Sequence, residues 1–241
     1  MIGSMRGDMA VLLQMLRGRS SHGTHQQQLE AFYSAQAGNY DAFRARLLHG
    51  RKDLIEQLEI LPGHSVAELG AGTGQNLQYL EYPLSSYRDI YLVDLCPSLL
   101  EVARQRYRGI PNIRIIETDV TRFYPQQLLD RVYFSYALTM IPDWKAAIDS
   151  AINMLKPGGL IGVVDFFVSG SEPDALMMQH GYLERRFWRS WFAHDGVNLT
   201  PEHLHYLRKL TDMVSLEQSR GAIPYLPFIK APYYIYVGQK R

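Results

Sequence analysis

"VAELGAGTGQNL", residues 66–77, sets three glycines in five positions directly after an apolar run. Lacking Cβ, Gly70, Gly72 and Gly74 permit a tight strand-to-helix turn and let a ligand approach bare backbone. The spacing is G-x-G-x-G. It has neither the G-x-G-x-x-G of dinucleotide sites nor the Lys-Ser/Thr of a P-loop, so a phosphate cradle is poorly supported.

Outward from this turn the chain alternates between strand and helix. "SVAEL" (65–69) leads into the turn, and a helix is predicted over Asn76–Glu81. "DIYLVDL" (89–95), "NIRIIETD" (112–119), "RVYFSYAL" (131–138) and "LIGVVDFF" (160–167) follow as strands. Pro97 opens a helix to about Tyr107, and "DWKAAIDSAINML" (143–155) forms another, stopped by "KPGG". Such alternation predicts an α/β fold, a doubly wound and mostly parallel sheet with every carboxyl end on one edge, where ligands of open sheets bind.

Upstream, helices are expected at Gln26–Gln36 and from Asp41 through Leu58, joined to an opening amphipathic helix by "SSHGTHQQQ" (20–28). Downstream, the alternation lapses after Ser169. An aromatic helix is expected over Pro173–Phe192, then "TPEHLHYLRKL" (200–210) with Thr200 as its cap. "DMVSLEQS" (212–219) and "APYYIYVGQK" (231–240) are too close for a helical crossover and predict an antiparallel pair. The division expected is an N-terminal helical cap, 1–60, over a main domain, 61–241, with a helical aromatic insertion at about 170–211.

Composition narrows the function. The chain has 241 residues, 46% apolar and 20% charged, so one substantial globular domain is expected. A formal charge of +1 gives no footprint for nucleic acid. The lone cysteine, Cys96, excludes an internal disulfide or a cysteine-rich metal site and fits a reducing, cytoplasmic compartment. No apolar run approaches the ~20 residues needed to span a bilayer. The opening segment lacks a small-residue cleavage pattern and does not read as a signal peptide.

Two acids at successive strand ends add to the glycine turn. Asp94 ends the second strand, twenty residues past Gly74, where a carboxylate can accept from both hydroxyls of a ribose. Asp119 ends the third, where a carboxylate can meet an adenine amino group.

As a set, "VAELGAGTG" (66–74), "YLVDLCPSLLEVA" (91–103), "ETDVT" (117–121) and "LKPGGLIGVVDF" (155–166) resemble the motifs of class I S-adenosylmethionine-dependent methyltransferases over about residues 40–168. The resemblance implies a seven-stranded Rossmann-like sheet closed by a C-terminal antiparallel hairpin. It implies S-adenosylmethionine as cofactor, with Glu68 and Gly70, Ala71, Gly72, Thr73, Gly74 and Asn76 along the methionine part. Asp94 and Leu95 then belong to the ribose side, and Asp119 and Val120 flank the adenine.

A narrower resemblance lies outside that core. "NYDAFRARLLHGR" (39–51), "YALTMIPDW" (136–144), "FWRSWFAHDGVNLTPEHLHYLR" (187–208) and "IPYLPFIKAPYYIYVGQKR" (223–241) are similar to the N-methyltransferase component of betaine-lipid synthesis. This implies trimethylation of the amino group of diacylglyceryl homoserine at the inner face of the membrane, downstream of an aminocarboxypropyl transferase.

Methyl transfer to an amine needs alignment, desolvation and a proton acceptor rather than a strong base. Tyr40, Arg44, His49 and Arg51 form one candidate set before the first strand; Arg51 is the candidate partner of the cofactor's carboxylate, Tyr40 and His49 are candidates for orientation or proton acceptance, and Tyr40 is also a candidate cofactor contact. Tyr136, at the fourth strand's end, is the second candidate for orienting the amine and also a cofactor contact. Asp143 and Trp144 read as the start of a helix. His203 and His205 are two apart on a helix and do not share a face, so no metal is expected. Tyr182, Phe187, Trp188, Trp191 and Phe192, interleaved with Arg185, Arg186 and Arg189, suit either a core or a membrane-surface helix. A methyltransferase for a soluble small molecule or a quinone, and a non-catalytic cofactor-binding protein, are the alternatives.

Overall fold

The computed structural model describes residues 23–33, 46–171, 177–193, 196–224 and 226–241. Seven strands form a single sheet: β1 Ser65–Leu69, β2 Asp89–Asp94, β3 Ile113–Glu117, β4 Leu129–Ser135, β5 Leu155–Phe166, β6 Thr211–Ile223 and β7 Leu226–Lys240. Their order is β3-β2-β1-β4-β5-β7-β6. The first five pair in parallel, and β7 runs antiparallel to both β5 and β6. The expected Rossmann-like α/β sheet with its antiparallel hairpin is therefore the observed architecture. Six α-helices are described: α1 His25–Tyr33, α2 Arg51–Gln57, α3 Pro97–Arg106, α4 Trp144–Met154, α5 Tyr182–Ala193 and α6 Glu202–Leu210.

All five residues of β1 are buried because helices cover both faces of the sheet. Val66 faces a core with Leu54, Leu92, Tyr133, Val164 and Ile235. Ala67 and Leu69 face the other, with Val93, Val132, Ala147, Ile148 and Leu204. The strand period of two makes this split, and it assigns Glu68 to the same face as Val66.

Beyond the edge of β5 the hairpin continues. Phe166 pairs with Tyr233, so β7 residues before Tyr233 extend past the carboxyl end of β5. β6 follows them, with Arg220 opposite Pro232 and Ala222 opposite Lys230. Both closing strands are thus longer than their apolar cores indicate.

Three expected helices are corrected. The run from Asp41 is not one helix through Leu58: Gly50 takes φ 75° and starts α2 afresh. There Gly50 packs under Tyr233, which a Cβ would approach to 2.7 Å. The segment after the glycine turn is a 3₁₀ turn, Gln75–Tyr79, rather than a helix over Asn76–Glu81. The aromatic helix begins at Tyr182, not Pro173. Before it, Met178 N donates to Gln218 Oε1 and His180 N to Ser169 Oγ, which fixes Met177–His180 in non-helical backbone. The expected opening helix and Tyr40 and Arg44 lie outside the described residues.

Candidate active site

The glycine turn closes on the neighbouring strand. Gly70 N and Ala71 N both donate to Val93 O, at 2.8 and 3.0 Å. Gly70 has φ 77°, and a Cβ there would stand 2.3 Å from Ala137 Cβ. Only glycine fits, since side chains avoid that backbone region and the space is taken.

Asp94 ties the turn to the start of α3. Its Oδ2 accepts from Gly72 N at 2.7 Å and its Oδ1 from Cys96 N at 2.8 Å. Ionised, a carboxylate is acceptor-only, the polarity that the hydroxyls of a diol require. Asp119 caps the 3₁₀ turn Val120–Arg122, accepting from Thr121 N and Oγ1 through Oδ1. Both acids open onto a cleft of about 310 Å³, which Gly70, Gly72, Leu95, Val120 and Tyr136 also line.

Beside the cleft lies a smaller polar recess bordered by Arg51, Glu68, Gly70, Ala71, Thr73, Gln75, Asn76 and Ser135. Arg51 is a buried arginine, 5% exposed. Its Nη1 donates to Gln75 Oε1 and Asn76 Oδ1, and its Nε to Leu48 O. Asn76 in turn donates to Glu68 Oε1 at 2.6 Å, and Tyr133 OH donates to Glu68 Oε2 at 2.9 Å. Burial pushes the Glu68 carboxyl up from 4.5 to about 7, against the pull of these two donors and of Arg51. The Ser135 hydroxyl is buried and has no hydrogen-bond partner among the described residues.

Tyr136 follows β4 in left-handed backbone, φ 53°, rare and costly for a bulky residue. Two bonds over-determine it: its N–H donates to Val164 O, and its hydroxyl to His49 O at 2.7 Å. The His49 ring does not reach the cleft. It stacks on Tyr233, bonds Ala222 O through Nε2 and presses on Gly221. The imidazole expected as proton acceptor is thus engaged by β6 and β7, while the backbone carbonyl of His49 receives the Tyr136 hydroxyl.

Several wall residues are not among the expected site residues. His25 and Leu29 of α1 line the cleft, as do Met140, Ile141 and Pro142. The Leu138–Met140 turn is held from β5: Thr139 N and Oγ1 donate to Asp165 Oδ2 and Oδ1 at 3.0 and 2.8 Å. Burial pushes the Asp165 carboxyl up to about 6. Asp143 caps α4 through Ala146 N. His203 is buried against Trp144 while His205 is exposed, so the two face different ways. Among the described residues no group of three potential ligands is gathered for a metal.

The donor set suits a zwitterionic nucleoside. Carboxylates at Asp94 and Asp119 could hold a ribose diol and an exocyclic amine. Arg51, the unpartnered Ser135 hydroxyl and the turn's bare backbone could hold an amino acid end. Leu95, Leu99 and Val120 supply apolar contact between the two acids.

Comparison with known proteins agrees. Residues 67–163 match the model of a methyltransferase domain. The chain is 25% identical over 150 residues to a demethylmenaquinone methyltransferase of Tropheryma whipplei, covering 60% of this chain and 62% of that one. It thus spans less than two thirds of that relative's length. The fold superposes on the N-methyltransferase NodS of Bradyrhizobium japonicum, solved with S-adenosyl-L-homocysteine, with TM-score 0.65, 18% identity and 90% and 99% coverage of the two chains. It also superposes on a Haemonchus contortus phosphoethanolamine N-methyltransferase, with TM-score 0.67, 12% identity and coverage of 91% and 60%. Residues 67–163 thus match a methyltransferase domain, and the sheet around them has the Rossmann-like fold of these methyltransferases, with a donor set that fits S-adenosylmethionine.

Proposed function

We propose that this chain is an N-methyltransferase acting on the amino headgroup of a lipid, with diacylglyceryl homoserine as substrate and trimethylation as outcome. The observation that carries the lipid reading is a series of aromatic contacts leading away from the cleft. Tyr136 meets Phe166 at 4.6 Å between ring centroids, Phe166 meets Phe192 at 4.6 Å, and Phe192 meets Trp188 at 5.7 Å. These rings are themselves buried; they seat α5, whose outer side bears Leu183 and Phe187, against the cleft residue Tyr136, which supports an apolar substrate part beside the headgroup. On this reading the chain works at the inner face of the membrane, on the product of an upstream aminocarboxypropyl transferase.

When bound, S-adenosylmethionine supplies an electrophilic methyl for in-line displacement. Asp94 and Asp119 would hold its nucleoside, and Arg51 with Glu68, Asn76 and Ser135 its amino acid end. The chain's own task is alignment. Tyr136 commits its proton to His49 O and so presents acceptor lone pairs, the polarity an amine N–H requires. An α-amino group with a pKa near ~8 needs only modest help to become neutral. The proton then leaves through a polar contact or water.

A second reading, methylation of a quinone, is favoured by the activity of the Tropheryma relative. Mass spectrometry of lipids from cells expressing the chain, with Asp94→Ala as control, separates them. A new trimethylated lipid that the control lacks supports the amine reading. A methylated quinone with unchanged polar lipids overturns it.

A further inference from the structure

The helix α5 has two faces of different chemistry. Trp188 and Phe192 are buried in the core beside Ile223 and Ala231 of the extended hairpin. Facing out are Leu183, 78% exposed, and Phe187, 42% exposed, with Arg186 and Ser190 beside them in one shallow surface groove. Arg189 is exposed as well. Among the described residues neither Arg186 nor Arg189 meets an acid. The helix's own Glu184 is engaged by Arg220, at 3.0 Å from Nη2.

Position adds to chemistry. α5 packs through Phe192 on Phe166, the last residue of β5, so it lies at the carboxyl edge where the cleft opens. The hairpin that supports it projects past the same edge and carries Phe228, 96% exposed. Large apolar side chains without cover, set among cations and, among the described residues of α5, without a free outward acid, match a surface that is negative at its rim and apolar just beneath. No helix among the described residues is long and apolar enough to cross a membrane.

We propose that the outward face of α5, Leu183 and Phe187 with Arg186 and Arg189, docks this chain on an anionic bilayer. Docking there sets the cleft edge toward the headgroups. The inference deepens the lipid reading above and rests on it.

The test is co-sedimentation of the whole chain, without methyl donor, with vesicles of neutral glycerophospholipid alone or mixed with an anionic one. Leu183→Asp/Phe187→Asp and Arg186→Glu/Arg189→Glu are compared, with S-adenosylmethionine affinity and melting temperature as evidence that both variants fold. Wild type should bind the anionic vesicles, bind less at high salt, and bind neutral ones weakly. Each variant should lose about tenfold or more in partitioning. Failure of wild type to bind anionic vesicles overturns the proposal, as does equal binding by both folded variants. Equal binding to neutral and anionic vesicles overturns the role of the arginines. A concentration-dependent dimer that the Asp variant dissociates, without vesicle binding, makes the face an interface between copies and also overturns it. Methylation assayed separately in detergent keeps the two readings apart. A chain that docks but methylates no lipid sinks only the substrate, and one that methylates but ignores vesicles sinks only the docking.

Discussion

Tyr136 donates its phenolic hydrogen bond to the backbone carbonyl of His49, 2.7 Å away, and holds left-handed backbone while doing so. The bond joins the cleft wall to the segment just before α2, and strain at Tyr136 persists because both its ends are fixed. Tyr136→Phe keeps the ring on Phe166 but leaves the His49 carbonyl without this donor. The expected result is a fall in kcat of about a hundredfold with S-adenosylmethionine affinity within about threefold. Steady-state kinetics with isothermal calorimetry measures both; unchanged kcat removes Tyr136 from the mechanism.

Asp94→Ala deletes the acceptor of Gly72 N and Cys96 N together with the proposed ribose contact. Hydrogen bonds to a charged group are worth about 1.5–3 kcal/mol, so cofactor affinity should fall by about ten- to a hundredfold or more. Calorimetric binding within threefold of wild type would show that the nucleoside lies elsewhere.

Gly70→Ala places a Cβ in left-handed backbone and against Ala137. Strain of this kind costs about 1–3 kcal/mol before the clash is counted. Urea unfolding should show at least that loss, whereas Gly63→Ala, which has the same backbone strain but open space, should lose less.

Glu68 gives the fold a pH dependence of definite sign. Burial raises its carboxyl from 4.5 to about 7 in the folded state. Between those values the folded protein keeps a proton that the unfolded chain has lost, so this group's contribution to stability falls as pH rises through the window. Glu68→Gln removes the titration. The wild type should lose roughly 3 kcal/mol relative to this variant between about pH 4.5 and about pH 7. Urea midpoints measured across that range test it, and a constant difference refutes it.

The sheet was readable because apolar runs, glycine and helix caps agree locally, and seven strands follow from them. Gly70, Asp94 and Asp119 were readable for the same reason: they sit at strand ends whose position topology sets. What failed was set by tertiary contact. Gly50 interrupts a helical pattern because Tyr233, far along the chain, needs that space. Residues 75–79 tighten to a 3₁₀ turn within a short connection to Pro83. His25 and Leu29 reach the cleft, and the Thr139–Asp165 bond braces the turn beside it, across long sequence separations that local pattern does not record. His49 shows another limit: its side chain attracts notice, but the contact with Tyr136 is made by the backbone carbonyl that any residue carries.

The central claim is methyl transfer to a lipid amine. Its most direct test incubates the purified chain with S-adenosylmethionine labelled in its methyl group and diacylglyceryl homoserine in mixed micelles, then follows label into the organic extract. The account predicts label in successive mono-, di- and trimethylated lipids, abolished by Asp94→Ala. A chain that binds the cofactor yet leaves this lipid unlabelled contradicts it.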